Sequence, residues 1–149
     1  MSYRFESFCG LYCGACEVLR ANKEDRVEAT ASAWGMKPED LICHGCKSEV
    51  NSFYCRDCEI KDCATRKGVE FCGDCADFPC KFLLDLQKDE HPHHAVILKN
   101  MDRIKEIGLD DWLKEQKKRW SCERCETETS WYAKVCKCCG AELINCDKE

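Results

Sequence analysis

The sequence predicts a small metal-stabilised α+β protein: a cysteine-rich core of knuckles and loops with several helices, followed by a C-terminal zinc-ribbon β-hairpin unit. Cysteine makes up 17 of the 149 residues, a level typical of chains cross-linked by disulfides or metals. Most cysteines stand in Cys-x2-Cys pairs, which in a cytosolic protein indicate metal binding. Apolar residues recur at helical spacing in three stretches between and after these pairs.

Metals are favoured over disulfides because nothing at the N-terminus resembles a secretory signal. The first residues, MSYRFESFCGLYC, contain no basic region followed by an apolar run. The longest apolar stretch, Ala95 to Leu98, is too short to cross a membrane. We therefore expect a cytoplasmic protein with reduced thiols and no membrane contact.

The net charge of −5 disfavours non-specific binding to nucleic acid, which depends on phosphate neutralisation. Thiolates bound to zinc would make the surface more acidic still. The basic run Lys114 to Arg119 lies beside Trp120, Trp131 and Tyr132, a combination that can stack single-stranded bases. We interpret it instead as a solvated helix face, so a nucleic-acid partner is possible but not favoured.

Two of the predicted helices precede residue 90. The first runs from Glu17 to about Trp34 and places Val27, Ala31 and Trp34 on one face, where Val27 and Trp34 are expected to be buried. The second covers Lys81 to Gln87. Such stripes indicate core packing rather than a binding site.

Two more helices are predicted in the following segment. Ile97, Met101 and Ile104 form an apolar stripe that ends near Gly108, a plausible C-cap. Asp110 then reads as the N-cap of a last helix that extends to roughly Lys118. We expect a junction near Trp120, where charged helices give way to a compact cysteine unit.

The C-terminal cysteines have the spacing of a zinc ribbon. Cys122-x2-Cys125 and Cys136-x2-Cys139 are two knuckles that supply four thiolates, and Gly140 relieves the tight turn after the second. The residues between them, 127–135, suit a strand of a hairpin. A single iron ion binds the same ligand pattern, and Cys138 and Cys146 are predicted not to be ligands.

A short repeat occupies the cysteine-rich segment before residue 81. Tyr54-Cys55-Arg56-Asp57-Cys58-x4-Cys63 recurs 17 residues later as Phe71-Cys72-Gly73-Asp74-Cys75-x4-Cys80. Two copies suggest two equivalent half-sites presented to metal. The eleven N-terminal cysteines predicted to bind metal are Cys9, Cys13, Cys16, Cys43, Cys46, Cys55, Cys58, Cys63, Cys72, Cys75 and Cys80.

Two groupings of these eleven cysteines are compatible with the sequence. The preferred zinc grouping joins the knuckles 43–46 and 55–58 in one site and the knuckles 13–16 and 72–75 in another. Cys9, Cys63 and Cys80 then form a third set, completed by His44, another histidine or water. The alternative takes Cys9, Cys13 and Cys16, and each repeat, as ligands of 4Fe-4S clusters.

The same cysteine motifs carry a resemblance to a known family. The segments are Cys9-Gly10-Leu11-Tyr12-Cys13-Gly14-Ala15-Cys16, Cys43-His44-Gly45-Cys46, Tyr54 to Ala64, and Phe71 to Cys80. They resemble the bacterial and archaeal domain-of-unknown-function family 3795 over roughly residues 5–90. The resemblance implies a cysteine-rich, metal-binding cytosolic protein, often from anaerobes, and some relatives continue into a segment similar to Arg103 to Leu143.

Three regions and two functions follow from these patterns. We expect a metal-binding domain at residues 1–90, a helical connector at 91–119 and a zinc ribbon at 120–149. The favoured function is a non-enzymatic, zinc-binding interaction or adaptor module with a protein partner, and no catalytic residue is assigned. The alternative is an iron–sulfur redox protein. His91, His93 and His94 are metal-ligand or general-base candidates, interpreted as surface and cap residues.

Overall fold

The architecture is helical, and a computed structural model describes residues 3–146. Its α-helices are short and are joined by loops and 3-10 turns. In chain order they are α1 (Glu17–Lys23), α2 (Val27–Trp34), α3 (Phe53–Arg56), α4 (Glu59–Lys67), α5 (Lys81–Gln87), α6 (Ile97–Ile107) and α7 (Leu109–Arg119). The 3-10 turns cover Cys13–Ala15, Pro38–Leu41, Cys72–Asp74 and Pro92–Val96. Within residues 3–146, none of the helices combines the length and the apolar character needed to cross a membrane.

The predicted helix from Glu17 to Trp34 is two helices in the structure. The chain turns at Asp25, which adopts a left-handed φ of 56°, and α2 begins two residues later. Arg26 stabilises the turn through ion pairs with Glu17 and Glu24. As a result Ala31 is buried, whereas Trp34 is 44% exposed, so the prediction that Trp34 enters the core was wrong.

The later helices agree with the sequence pattern. Helix α5 has the predicted bounds, and α6 buries Ile97, Met101 and Ile104 before ending at Gly108. Helix α7 begins at Leu109 and runs to Arg119; its N-cap is Gly108, so the prediction of Asp110 as N-cap was wrong. The fully buried Trp112 of α7 was not predicted as a core residue.

The main core joins the N-terminal segment to the last two helices. Tyr12 and Trp112 meet edge to face with their ring centroids 6.1 Å apart. The members of this cluster are Tyr12, Ala15, Phe71, Met101, Ile104, Trp112, Trp120 and Cys146. Residues from near both ends of the chain thus pack in one apolar cluster, which burial of their aromatic surface stabilises.

The β-hairpin expected at residues 127–135 is absent from the described part of the chain, which forms no extended strand. Two isolated bridges are the only β pairing within residues 3–146, Ser121 with Glu128 and Val135 with Glu142. The backbone of the intervening residues bonds elsewhere: the Trp131 N–H donates to Ala15 O, and Trp131 O accepts from Cys146. The fold is therefore helix-rich rather than α+β, because these backbone groups form tertiary contacts instead of a ladder.

Candidate metal centre

The two C-terminal knuckles have the same backbone geometry. In the first, the Cys122 N–H donates to Thr127 O and Cys122 O accepts from Glu126. In the second, Cys136 makes the corresponding bonds with Ala141 and Gly140. Both turns need a left-handed residue at the fifth position, where φ is 64° at Glu126 and 75° at Gly140. Each knuckle closes on itself and so presents its two sulfur atoms in the same way.

The knuckles bring four sulfur atoms together in what we term the thiolate cluster: Cys122, Cys125, Cys136 and Cys139. All four Sγ atoms lie within 4.8 Å of one another. The Sγ atoms of Cys122 and Cys139 are 3.6 Å apart, and those of Cys125 and Cys136 are 3.5 Å apart. Tetrahedral Zn–S bonds of about 2.3 Å require sulfur separations near these values. The donor set and its spacing fit one metal ion.

The pKa values of two of these thiols are shifted in opposite directions. Hydrogen bonds from the side chain and backbone of Thr127 lower the pKa of Cys125 to about 6. The backbone of Ala141 also favours the Cys139 thiolate, but burial and bonds to the other three cysteines outweigh it and raise the pKa of Cys139 to about 12. Four adjacent thiolates repel one another, so all four can be charged at neutral pH only with a positive ion among them.

The two remaining C-terminal cysteines lie outside the cluster. Cys138 is exposed, and Cys146 is buried in the main core. Leu143 packs against Cys122 and Cys136 of the thiolate cluster in a small apolar group of its own. The four predicted ligands therefore form a group that could hold a metal ion, and the exclusion of Cys138 and Cys146 as ligands stays a prediction.

The eleven N-terminal cysteines are spread more widely. Within residues 3–146, no three of their sulfur atoms lie within 4.8 Å of one another. Neither predicted grouping thus forms a compact single-ion shell, and the role of these eleven residues as ligands stays a prediction. They nevertheless fall into two neighbourhoods, and Cys9 interacts with both, with Cys46 and Cys58 on one side and with Cys72 on the other.

The first neighbourhood surrounds Cys55. Burial raises the pKa of Cys55 to about 12, and the charges of Cys16, Cys43, Cys46 and Cys58 add to the effect. Burial and the charges of Cys46, Cys16 and Cys55 raise the pKa of Cys13 in the same way. The preferred grouping had paired knuckle 13–16 with knuckle 72–75, and the structure instead places it beside Cys43, Cys46 and Cys55.

The reason for this placement is the packing of α1. Its Asn22 side chain donates to Leu41 O at 2.8 Å and accepts from the Cys43 N–H at 3.2 Å. Cys16 immediately precedes α1, so the bonds that hold α1 against Leu41 and Cys43 also bring Cys16 close to Cys43. Tertiary hydrogen bonds, rather than the spacing of the cysteines along the chain, therefore determine which thiols lie close together.

The second neighbourhood surrounds Cys72. Burial raises the pKa of Cys72 to about 12, assisted by the charges of Cys9, Cys80, Cys63 and Cys75. The Cys72 N–H donates to Phe8 O at 2.8 Å, which fixes the second repeat beside Cys9. The two repeats are not equivalent, because Tyr54 is exposed and its counterpart Phe71 is buried.

A cavity of about 380 Å³ opens among the thiols of this second neighbourhood. We call it the thiol cavity. Its sulfur-bearing lining residues are Cys63, Cys72, Cys75 and Cys80. Apolar side chains complete the wall, among them Ile60, Val69 and Phe78, and Lys67 and Asp77 lie at its edge. The four thiols that surround this apolar space are a donor set suited to a metal cluster.

Three of the four histidines, His91, His93 and His94, form a separate group at the 3-10 turn before α6. His91 and His94 converge on Asp89, and the three ligand atoms lie within 4.8 Å of one another. His93 instead stacks on Trp131, with ring centroids 4.2 Å apart and an interplanar angle of 16°. Sequence reasoning identified the histidines but missed Asp89, although an acid two residues before a His-x2-His pattern is a detectable signal.

One family model matches a continuous segment of this chain. The model, described as "Protein of unknown function (DUF3795)", matches residues 5–85. This segment includes all eleven N-terminal cysteines and ends before the histidine turn and the thiolate cluster. Comparison with curated proteins and with solved structures found no match. The match spans more than half of the chain, which therefore belongs to this family of proteins of unknown function.

Proposed function

We propose that this protein is a non-enzymatic interaction module whose thiolate cluster holds a structural zinc ion. The observation that carries the proposal is the convergence of the Cys122, Cys125, Cys136 and Cys139 sulfur atoms within 4.8 Å. When bound, the ion would supply a closed tetrahedral cross-link rather than a reactive centre, because all four positions are taken by protein. The chain's own part is to hold the four thiolates at the spacing that zinc prefers.

Zinc is favoured here over a single iron ion, which uses the same ligands. The family and the thiol spacing are compatible with both metals, so the choice rests on the prevalence of zinc at paired knuckles. Further zinc ions in the N-terminal domain are part of the same proposal. A reducing compartment, the cytoplasm, would keep the thiols available to metal.

An exposed group of aromatic side chains supports the interaction role. Trp34, Phe53 and Tyr54 form this aromatic patch, with Tyr54 6.5 Å from Trp34 and 5.8 Å from Phe53 between ring centroids. Each is more than two fifths exposed. Adjacent exposed aromatic residues are enriched at protein–protein interfaces, so the proposed partner is a protein.

Nucleic acid is a weaker candidate partner. Trp120, which the sequence placed beside a basic run, is buried in the main core, and Trp131 is covered by His93. Trp120 is therefore unavailable to stack on a base and one face of Trp131 is occupied. Tyr132 is 42% exposed, but the net charge of −5 opposes binding to phosphate.

The second candidate function is iron–sulfur electron transfer. It is favoured by the thiol cavity, where four cysteines surround a space instead of touching. In a cubane cluster each thiolate binds a different iron atom, so its four cysteines stand further apart than around one zinc ion. Under this candidate the second neighbourhood holds a 4Fe-4S cluster while the thiolate cluster keeps its zinc.

Anaerobic purification, followed by metal and acid-labile sulfide analysis, tests both candidates. The proposed function predicts a colourless protein with at least one zinc per chain and no labile sulfide. Equal amounts of iron and sulfide with broad visible absorbance would establish the second candidate for the N-terminal domain. A folded protein that contains neither metal would overturn both.

A further inference from the structure

The turn between α5 and α6 contains a group of metal-ligand types that is separate from all the cysteines. The Asp89 carboxylate is fixed by the backbone, since its Oδ1 accepts the His91 N–H at 2.9 Å. This leaves Oδ2 facing two imidazole nitrogens, with His94 Nδ1 at 2.7 Å and His91 Nδ1 at 3.4 Å. One oxygen and two nitrogen donors thus converge within six residues of chain.

The local backbone explains why the two imidazoles converge. Residues 92–96 form a 3-10 helix in which Pro92 occupies the first turn, and the His94 N–H donates to His91 O at 3.0 Å. In 3-10 geometry, residues three apart lie on the same face, so His91 and His94 point to one side. Their ring centroids are 5.1 Å apart.

The middle histidine anchors the turn to the C-terminal unit. His93 lies against Trp131, and its Nδ1 is 2.6 Å from the Tyr132 hydroxyl. His93 is therefore engaged with Trp131 and Tyr132 although its ring lies 4.0 Å from that of His94, and His91 and His94 share Asp89. A turn held at its centre and constrained by proline has less conformational freedom to lose when a ligand binds.

We propose that Asp89, His91 and His94 form an open site for a divalent transition-metal ion of the zinc, cobalt or nickel type. Imidazole nitrogen combined with carboxylate oxygen suits these borderline ions, whereas calcium and magnesium prefer all-oxygen sites. Side-chain exposure is 53% for His91, 31% for Asp89 and 14% for His94, so an ion there would face solvent on one side. Water would complete its coordination, in contrast to the closed thiolate cluster.

This site uses no cysteine, so the proposal does not depend on the proposed function. Its nitrogen and oxygen ligands make it the weaker and more exchangeable site for zinc. The chain would then combine permanently held metal with an exchangeable ion next to Trp131 and Tyr132. Occupancy of the exchangeable site would stiffen the turn that contacts the C-terminal unit.

Histidine-selective ¹⁵N NMR on the full chain tests the proposal directly, because the protein contains only four histidines. The protein is first saturated with zinc at its cysteines, and further Zn²⁺ is then titrated. We expect the ring nitrogens of His91 and His94 to shift and to saturate at one added equivalent, while the His44 ring stays unchanged. Asp89→Asn should weaken this step more than about tenfold, since it neutralises a charged ligand.

Two variants control for charge and folding. Asp85→Asn removes a nearby exposed charge on α5 and should leave the affinity unchanged. His91→Asn alters the most exposed ligand and should abolish saturation without loss of the native spectrum. Shifts that appear only at millimolar zinc, that affect all four histidines equally, or that survive Asp89→Asn would overturn the site and reduce the cluster to a hydrogen-bonded turn.

Discussion

The thiolate cluster and the eleven N-terminal cysteines use the same Cys-x2-Cys motif with different results. At the C-terminus the two knuckles share one backbone geometry and bring their four sulfur atoms within 4.8 Å. Among the eleven N-terminal cysteines the thiols fall into two looser neighbourhoods, around Cys55 and around Cys72. The difference shows that a knuckle determines the relative positions of its own two sulfur atoms. Tertiary contacts determine which knuckles lie close to one another.

The two regions are also packed together in the main core. The substitution Trp112→Ala tests this packing, and we expect it to have the largest effect on stability of all the variants. Trp112 is fully buried and joins Tyr12 of the N-terminal segment to Trp120 and Cys146. Truncation should lower the free energy of unfolding by about 3–5 kcal/mol, as for other buried aromatic residues. Chemical denaturation monitored by circular dichroism, with metal content held constant, measures the change.

Trp34→Ala is the matched control for that experiment. Trp34 is 44% exposed in the aromatic patch, so its truncation should change stability by less than about 0.5 kcal/mol. Equal losses for the two tryptophans would mean that the main core does not unite the N-terminal segment with the last helices. The regions would then have to be treated as independent domains.

A smaller effect is expected from the ion pair between α1 and the first C-terminal knuckle. Arg20 is 9% exposed, and its Nη1 is 2.9 Å from Glu128 Oε2. A double-mutant cycle with Arg20→Ala and Glu128→Ala should give a coupling energy of about 1–3 kcal/mol. The exposed pair Lys114–Asp111, 3.7 Å apart, is the control and should give less than about 0.5 kcal/mol.

The same pair predicts a pH dependence. Partial burial raises the pKa of Glu128, but the hydrogen bond and charge of Arg20 outweigh it and hold the pKa below the usual 4.5. A lowered carboxyl pKa contributes stability above the unfolded-state value, and this is lost as the pH falls through the folded-state value. The coupling should therefore be full at neutral pH and decline only below about 4.5. A coupling that is absent at pH 7 would show that the two regions make no electrostatic contact.

Elements with local signals were predictable from the sequence. The apolar stripe Ile97, Met101 and Ile104 gave α6, and the spacing of the C-terminal cysteines gave the four members of the thiolate cluster. Both depend on residues close together in the chain. Their geometry follows from helical periodicity or from a single tight turn.

Features that depend on distant residues were not predictable. The break between α1 and α2 depends on a left-handed Asp25 within an otherwise helical pattern. Trp112 packs against Tyr12, a hundred residues away in the chain, so the apolar face formed by Leu109, Trp112 and Leu113 does not reveal its partner. The prediction of a β-hairpin was wrong for the same reason, because the Trp131 N–H donates to Ala15 O rather than to a neighbouring strand.

The central claim is that Cys122, Cys125, Cys136 and Cys139 together hold one metal ion. Native mass spectrometry of the anaerobically purified wild type, Cys125→Ser and Cys138→Ser counts the ions directly. The account predicts that Cys125→Ser contains one zinc fewer than the wild type, because only three thiolates remain. Cys138→Ser, which changes an exposed cysteine inside the second knuckle, should keep the full count. Equal metal content in all three proteins, or a loss confined to Cys138→Ser, would contradict the assignment.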